Sequence, residues 1–143
     1  MRFMVIVKAT KDSEKEGALP DPGLMADMNK FNDELLKAGV LLGYDGLHPS
    51  SKGARVHFSG KNRTVTDGPF AETKELVAGF WLWQVKSLEE AIEWVKRCPN
   101  EGETDIEIRQ VFEPEDFATA FSDEEIQQEK NFRARMAANA AKK

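Results

Sequence analysis

The side chains of this chain with the means to do chemistry gather in two short stretches. The first is Val65–Glu75 (VTDGPFAETKE), where Asp67, Glu72, Lys74 and Glu75 flank a Gly68-Pro69 turn signal. A carboxylate there can act as a hydrogen-bond acceptor, or as a general base if burial raises its pKa toward working pH. Glu72 and Lys74 add opposite charges suited to binding or polarising a small anionic or phenolic substrate. The second is His48, just before Pro49, whose imidazole can shuttle a proton to Asp67. Arg109 and Glu107 alternate on one strand, where they can line a cavity or pair with each other.

Each of these residues also has a purely architectural reading. Asp67 can accept backbone N–H bonds inside the turn. Gly68 then supplies an unusual backbone angle, Pro69 fixes another, and Phe70 anchors the loop in the core. His48 can be a solvated loop histidine. His57, the other of the two histidines, falls on a strand face that alternation can leave exposed. An exposed Glu107–Arg109 pair would add little stability.

Other chemistries lack a pattern. Two separated histidines and scattered carboxylates have no recognisable metal-ligand spacing. No glycine-rich loop opens a helix to cradle phosphate, so no nucleotide cofactor is expected, nor any other. The single cysteine, Cys98, rules out an internal disulfide framework and reads as a small packed side chain. A formal charge of −5 without clustered Lys and Arg argues against nucleic acid as partner. No apolar run approaches the ~20 residues needed to cross a bilayer, and no secretory leader is recognisable. A cytoplasmic protein without a membrane partner is expected.

The elements that must position these groups follow from periodicity. The 143 residues, 41% apolar and 31% charged, suit one domain with a real core. Arg2 to Lys8 is β-rich and apolar on both faces, as for an inner strand. Thr10 to Gly23 is a loop long enough to form a flap over a site. Leu24, Met28, Phe31 and Leu35 recur at helical spacing, with Pro22 near the start and Gly39 as the stop. Asn32 falls inside that apolar arc, either facing a pocket or lying at its flank with a local hydrogen bond. Val40–Leu47 and Ala54–Ser59 read as strands, and Gly60–Arg63 connects to a short extension or hairpin at Thr64–Thr66.

Ala78 to Lys86 is the most apolar strand. Phe80 and Leu82 point one way, and Trp81, Trp83 and Val85 the other. Ser87-Leu88-Glu89-Glu90 is a capping box opening a helix that turns Leu88, Ala91, Ile92 and Val95 inward. Asp105–Val111 is a last strand. The order β-α-β-β-(short β)-α-β predicts an α+β fold, with helices covering one face of a ferredoxin-like antiparallel sheet. Trp81, Trp83 and Val85 are taken as the other face, too apolar for water, with a second subunit as cover. From Phe112 the composition changes. Ser122-Asp123-Glu124-Glu125 caps a polar helix through about Ala138, read as an appended element embracing a partner subunit. Residues 1–112 and 113–143 thus form the expected domain and extension.

The run Asp67-Gly68-Pro69-Phe70-Ala71-Glu72-Thr73-Lys74-Glu75, followed by Gly79-Phe80, resembles the DGPF branch of the YCII-related (YciI-like) family. Gly46-Leu47-His48-Pro49, Ser87-Leu88-Glu89-Glu90-Ala91 and Glu107-Ile108-Arg109 support it, over roughly residues 1–112. The resemblance implies a dimeric α+β barrel; the functional reading of the Asp67 loop puts it at the barrel mouth. In the shorter members a His-Asp pair is the proposed active site. One relative is a dehydrochlorinase of chlorinated hydroxyquinols, and related barrels include cofactor-independent monooxygenases and chlorite-dismutase-like proteins. Other DGPF proteins are linked with extracytoplasmic-function sigma factors. The early histidine of the shorter members is missing, since Leu24–Leu36 contains none.

The leading expectation is a homodimer binding a small organic molecule. Asp67 and His48 would perform cofactor-independent elimination or isomerisation, with Glu72, Lys74 and Arg109 holding the substrate. The competing expectation is a non-catalytic binding or regulatory protein, associated with transcription. Convergence of Asp67, His48 and Glu72 on one concave pocket discriminates between them.

Overall fold

A computed structural model describes residues 1–100 and 102–142. They divide into two compact units, Met1–Gln110 and Val111–Lys143. In the first unit, strand β1 (Arg2–Lys8) leads into helix α1 (Pro22–Lys37) and strand β2 (Leu41–Gly46). Strands β3 (Ala54–Ser59) and β4 (Asn62–Asp67) follow, then β5 (Val77–Gln84), helix α2 (Leu88–Lys96) and β6 (Ile106–Gln110). The main sheet has the order β2-β5-β1-β6 with antiparallel pairs throughout, while β3 and β4 form a two-stranded sheet of their own. This is the α+β connectivity expected from periodicity, with a complete hairpin inserted between β2 and β5.

The helix ends follow the local chemistry. Asp21 caps α1 by accepting from the N–H groups of Gly23 and Leu24, with Pro22 at the position that needs no donor. Gly39 stops the helix with φ of 73°, a left-handed conformation that suits glycine. Ser87 caps α2 by accepting from Glu90 N–H at 3.1 Å. The returning Glu90 carboxylate binds the N–H of Lys86 at 2.7 Å, one residue before the cap.

Packing decides which face of β5 is inside. Register pairs Trp81 with Val5 and Trp83 with Phe3, so these four share one face of the sheet. They form the core with Phe31 and Leu35 of α1, Ala91 of α2, Val40 and Val85. The expectation that the tryptophan face awaits a second subunit is therefore corrected: the protein's own helices cover it. The open face carries Met4, Ile6, Phe80 and Leu82, with Lys8, Asp45, Glu107 and Arg109 around them by register.

Two helix assignments also change. Trp94, Val95 and Cys98 pack against the core beside Ala91, whereas Leu88 and Ile92 are 43% and 37% exposed. Asn32 neither faces a pocket nor bonds locally. It is buried, and its Oδ1 accepts from Trp81 Nε1 at 2.8 Å. The Trp83 indole N–H, also buried, has no hydrogen-bond partner among the described residues.

In the second unit, a single turn at Pro114–Phe117 precedes helix α3 (Asp123–Ala141). Ser122 and Glu125 complete a reciprocal capping box. The helix expected through about Ala138 continues to Ala141, and Lys143 lies outside the described residues. No side chain of α3 is buried among those described.

Candidate functional site

The Asp67–Glu75 loop is held in place by a serine beside the histidine. Ser50 opens a single helical turn, Ser50–Lys52, directly after His48-Pro49. Its backbone N–H donates to both carboxylate oxygens of Glu14, at 3.1 and 3.2 Å, and its hydroxyl donates to the same carboxylate. The hydroxyl oxygen in turn accepts from Phe70 N–H at 3.1 Å. One side chain therefore joins the loop after β1, the turn after β2 and the loop after β4.

Gly68 belongs to this joint through its lack of a side chain. A Cβ there would lie 1.7 Å from the Ser50 carbonyl oxygen, so any larger residue displaces backbone. Its φ is not positive, which replaces the expected backbone-angle role with one of close approach. The Gly68–Pro69 peptide is cis.

These contacts frame an open cleft of about 290 Å³. Leu47, Phe70, Leu76 and Val77 supply its apolar lining, and Glu14, His48, Ser50, Arg55 and Glu75 its polar lining. The volume falls just below the range for small-molecule sites, which begins at about 300 Å³. The Arg55 guanidinium lies 3.9 Å from the Phe70 ring centroid, a cation–π contact, and 3.6 Å from the Glu72 carboxylate. Phe70 is thus a half-buried wall of the cleft beneath Arg55, and it does not join the core cluster as expected.

The residues singled out from sequence are distributed unevenly around this cleft. Of Asp67, His48 and Glu72, only His48 lines it, so the three do not converge on one pocket; Glu72 contacts its wall only through Arg55. Asp67 closes β4 opposite Ala54 and is not among the lining residues. Its carboxylate accepts no hydrogen bond among the described residues, so the expected capping of the turn is not made. Lys74 sits exposed on the Thr73–Glu75 turn. Arg109 pairs with Glu107 at 3.3 Å on β6, across β1 and β5 from the β2 edge that leads to His48. His57 is exposed on β3.

Sequence reasoning missed Glu14, Ser50 and Arg55. Glu14 and Ser50 are 36 positions apart, with no motif linking them. The one available signal was the Thr10–Gly23 loop, whose length suggested a flap and which supplies Glu14. Among the described residues, no group of three or more His, Cys, Asp or Glu side chains is placed to hold a metal ion. No helix among them is long and apolar enough to cross a membrane.

Comparison with known proteins adds two findings. The model of the YCII-related domain matches residues 1–115. An uncharacterized protein of Rhizobium meliloti (strain 1021) is 35% identical over 80 residues, covering 56% of this chain and 64% of that protein. The match thus spans less than two thirds of the relative's own length.

Proposed function

The chain belongs to the YCII-related domain family, and from that premise we propose that it binds a small hydroxylated or phenolic molecule in the His48 cleft. The observation that carries this reading is the convergence of His48, Glu14, Glu75 and Arg55 around the apolar wall made by Phe70, Leu47 and Leu76. An aromatic ring fits the apolar wall, and a hydroxyl donor fits the carboxylates. Arg55 is partly balanced by Glu72, so the cleft favours a neutral hydrogen-bond donor over an anion.

The chemistry such a cleft supports is acid–base. The His48 imidazole accepts a proton from a phenol or an acidified C–H held in the cleft. Returning that proton to another atom of the substrate gives an isomerisation, and loss of a leaving group gives an elimination. Neither needs a cofactor. In this reading Arg55 orients the substrate and Glu72 positions Arg55. Asp67 and Lys74 shape the loop that closes the cleft, and Arg109 belongs to a separate surface.

The proposal includes a homodimer. The open face of the sheet presents Met4, Ile6, Phe80 and Leu82 in adjacent register, an apolar strip suited to the same face of a second copy. Arg109, beside Met4, would lie at the edge of that contact.

Thermal-shift titration with catechol and hydroquinone tests the binding reading. A saturable rise in melting temperature is expected for the wild type and a reduced one for His48→Ala and Arg55→Ala. Equal shifts in all three proteins, or none in the wild type, would contradict it.

A further inference from the structure

The polar groups of the His48 cleft are not equally free. Glu14 commits its carboxylate to Ser50, accepting from the backbone N–H at 3.1 and 3.2 Å and from the hydroxyl as well. The Arg55 guanidinium lies over the Phe70 ring and 3.6 Å from the Glu72 carboxylate. Glu75 differs from both. It lines the cleft, yet its carboxylate has no hydrogen bond or ion pair with another of the described residues. A short turn sets it there. The Glu75 N–H donates to the Glu72 carbonyl at 2.9 Å, and the N–H of Leu76 donates to the Thr73 carbonyl at 3.1 Å. Leu76 is buried and belongs to the same lining, which fixes the neighbouring backbone.

The charges of the lining do not cancel. Glu14 and Glu75 bring two carboxylates against the single guanidinium of Arg55, and Glu72 faces that guanidinium from outside the lining. Ser50 satisfies Glu14 with neutral donors, which leaves its negative charge uncompensated. Lys74, beside Glu75 in the chain, is exposed and is not among the lining residues. A cleft whose lining has an excess of one sign of charge concentrates ions of the opposite sign.

We infer that the ligand of this cleft carries a cationic amine as well as an aromatic hydroxyl, and that Glu75 is the residue that selects it. The inference rests on the reading of the cleft as a site for phenolic molecules and narrows that class to phenolic amines. An ammonium group offers three donors and a full charge, and the unpaired Glu75 carboxylate accepts them. The ring lies against Leu47, Phe70 and Leu76, and the hydroxyl is left for His48. An anionic phenol of the same size meets Glu75 as a like charge. Only Arg55, partly balanced by Glu72, answers it.

Three phenols that differ in the charge of one short arm test this: tyramine, para-ethylphenol and para-hydroxyphenylacetate. Calorimetric titration of the full chain at low salt is expected to rank them in that order. Tyramine should lead para-ethylphenol by roughly two- to fivefold, the scale of an exposed ion pair. High salt should narrow the gap. Glu75→Gln is expected to erase the lead of tyramine over para-ethylphenol. Glu89→Gln removes an exposed carboxylate at the start of α2, outside the cleft, and is expected to keep that lead. The pair thus separates a contact at Glu75 from the general field of an acidic chain. Equal affinities for the three phenols would overturn the inference and leave the phenol site standing. So would a lead that survives Glu75→Gln, or one that Glu89→Gln lowers as much. Failure of all three to bind would overturn both readings.

Discussion

The buried contact between Asn32 and Trp81 shows how one polar residue serves an apolar core. The Asn32 carbonyl oxygen satisfies the Trp81 indole N–H at 2.8 Å, inside a cluster where Phe31 meets the same indole edge-on at 6.0 Å. Replacing Asn32 with Ala leaves a buried donor without an acceptor and should cost about 1–3 kcal/mol in urea denaturation. A loss below about 0.5 kcal/mol, typical of surface substitutions, would contradict this role. Cys98 carries a second prediction. Burial alone raises its pKa from 9.0 to about 11, so its thiol resists alkylation at neutral pH until the chain unfolds. Between those pH values the native state keeps a proton that the unfolded state releases. Its contribution to stability is therefore intact below pH 9.0 and is lost as pH rises toward about 11. Wild-type protein should lose more stability over that window than Cys98→Ala; parallel curves would contradict the shift. Asn32 was recognisable from sequence as an anomaly in the apolar arc. Its partner was not, because Trp81 lies 49 positions away.

At the scale of elements, the joint at Ser50 makes the Asp67–Glu75 loop a fixed wall. Ser50→Ala removes the hydroxyl bridge between Glu14 and the Phe70 N–H, and should lower stability by about 1.5–3 kcal/mol, the range for hydrogen bonds to charged groups. Gly68→Ala should cost more, because a Cβ at 1.7 Å from the Ser50 carbonyl oxygen forces the backbone apart. Urea denaturation of the two variants gives the order; a Gly68→Ala protein as stable as wild type would contradict the close packing. The strands and helices themselves were legible from periodicity, and Ala54–Ser59 appears with the bounds expected. Alternation separated Phe80 and Leu82 from Trp81 and Trp83, but it could not say which set the helices cover. That depends on how α1 and α2 cross the sheet. The Asp-Gly-Pro-Phe run was legible as a loop, whereas its dependence on Ser50 and Glu14 arises only in the folded chain.

For the whole molecule, the corrected orientation of β5 moves the proposed dimer to the opposite face of the sheet. Leu82→Arg should shift a dimer to monomer in sedimentation while the fold persists, since Leu82 lies outside the core cluster. Unchanged association would contradict pairing through this face. The cleft, with His48 on its wall, remains the centre of the functional account, and the protein supplies its own control in His57 on the exposed hairpin. NMR of the two imidazoles during titration with catechol is therefore the most direct measurement. The account predicts a saturable shift of the His48 signals with those of His57 unmoved. Two histidines that respond alike, or a silent His48, would contradict binding in this cleft.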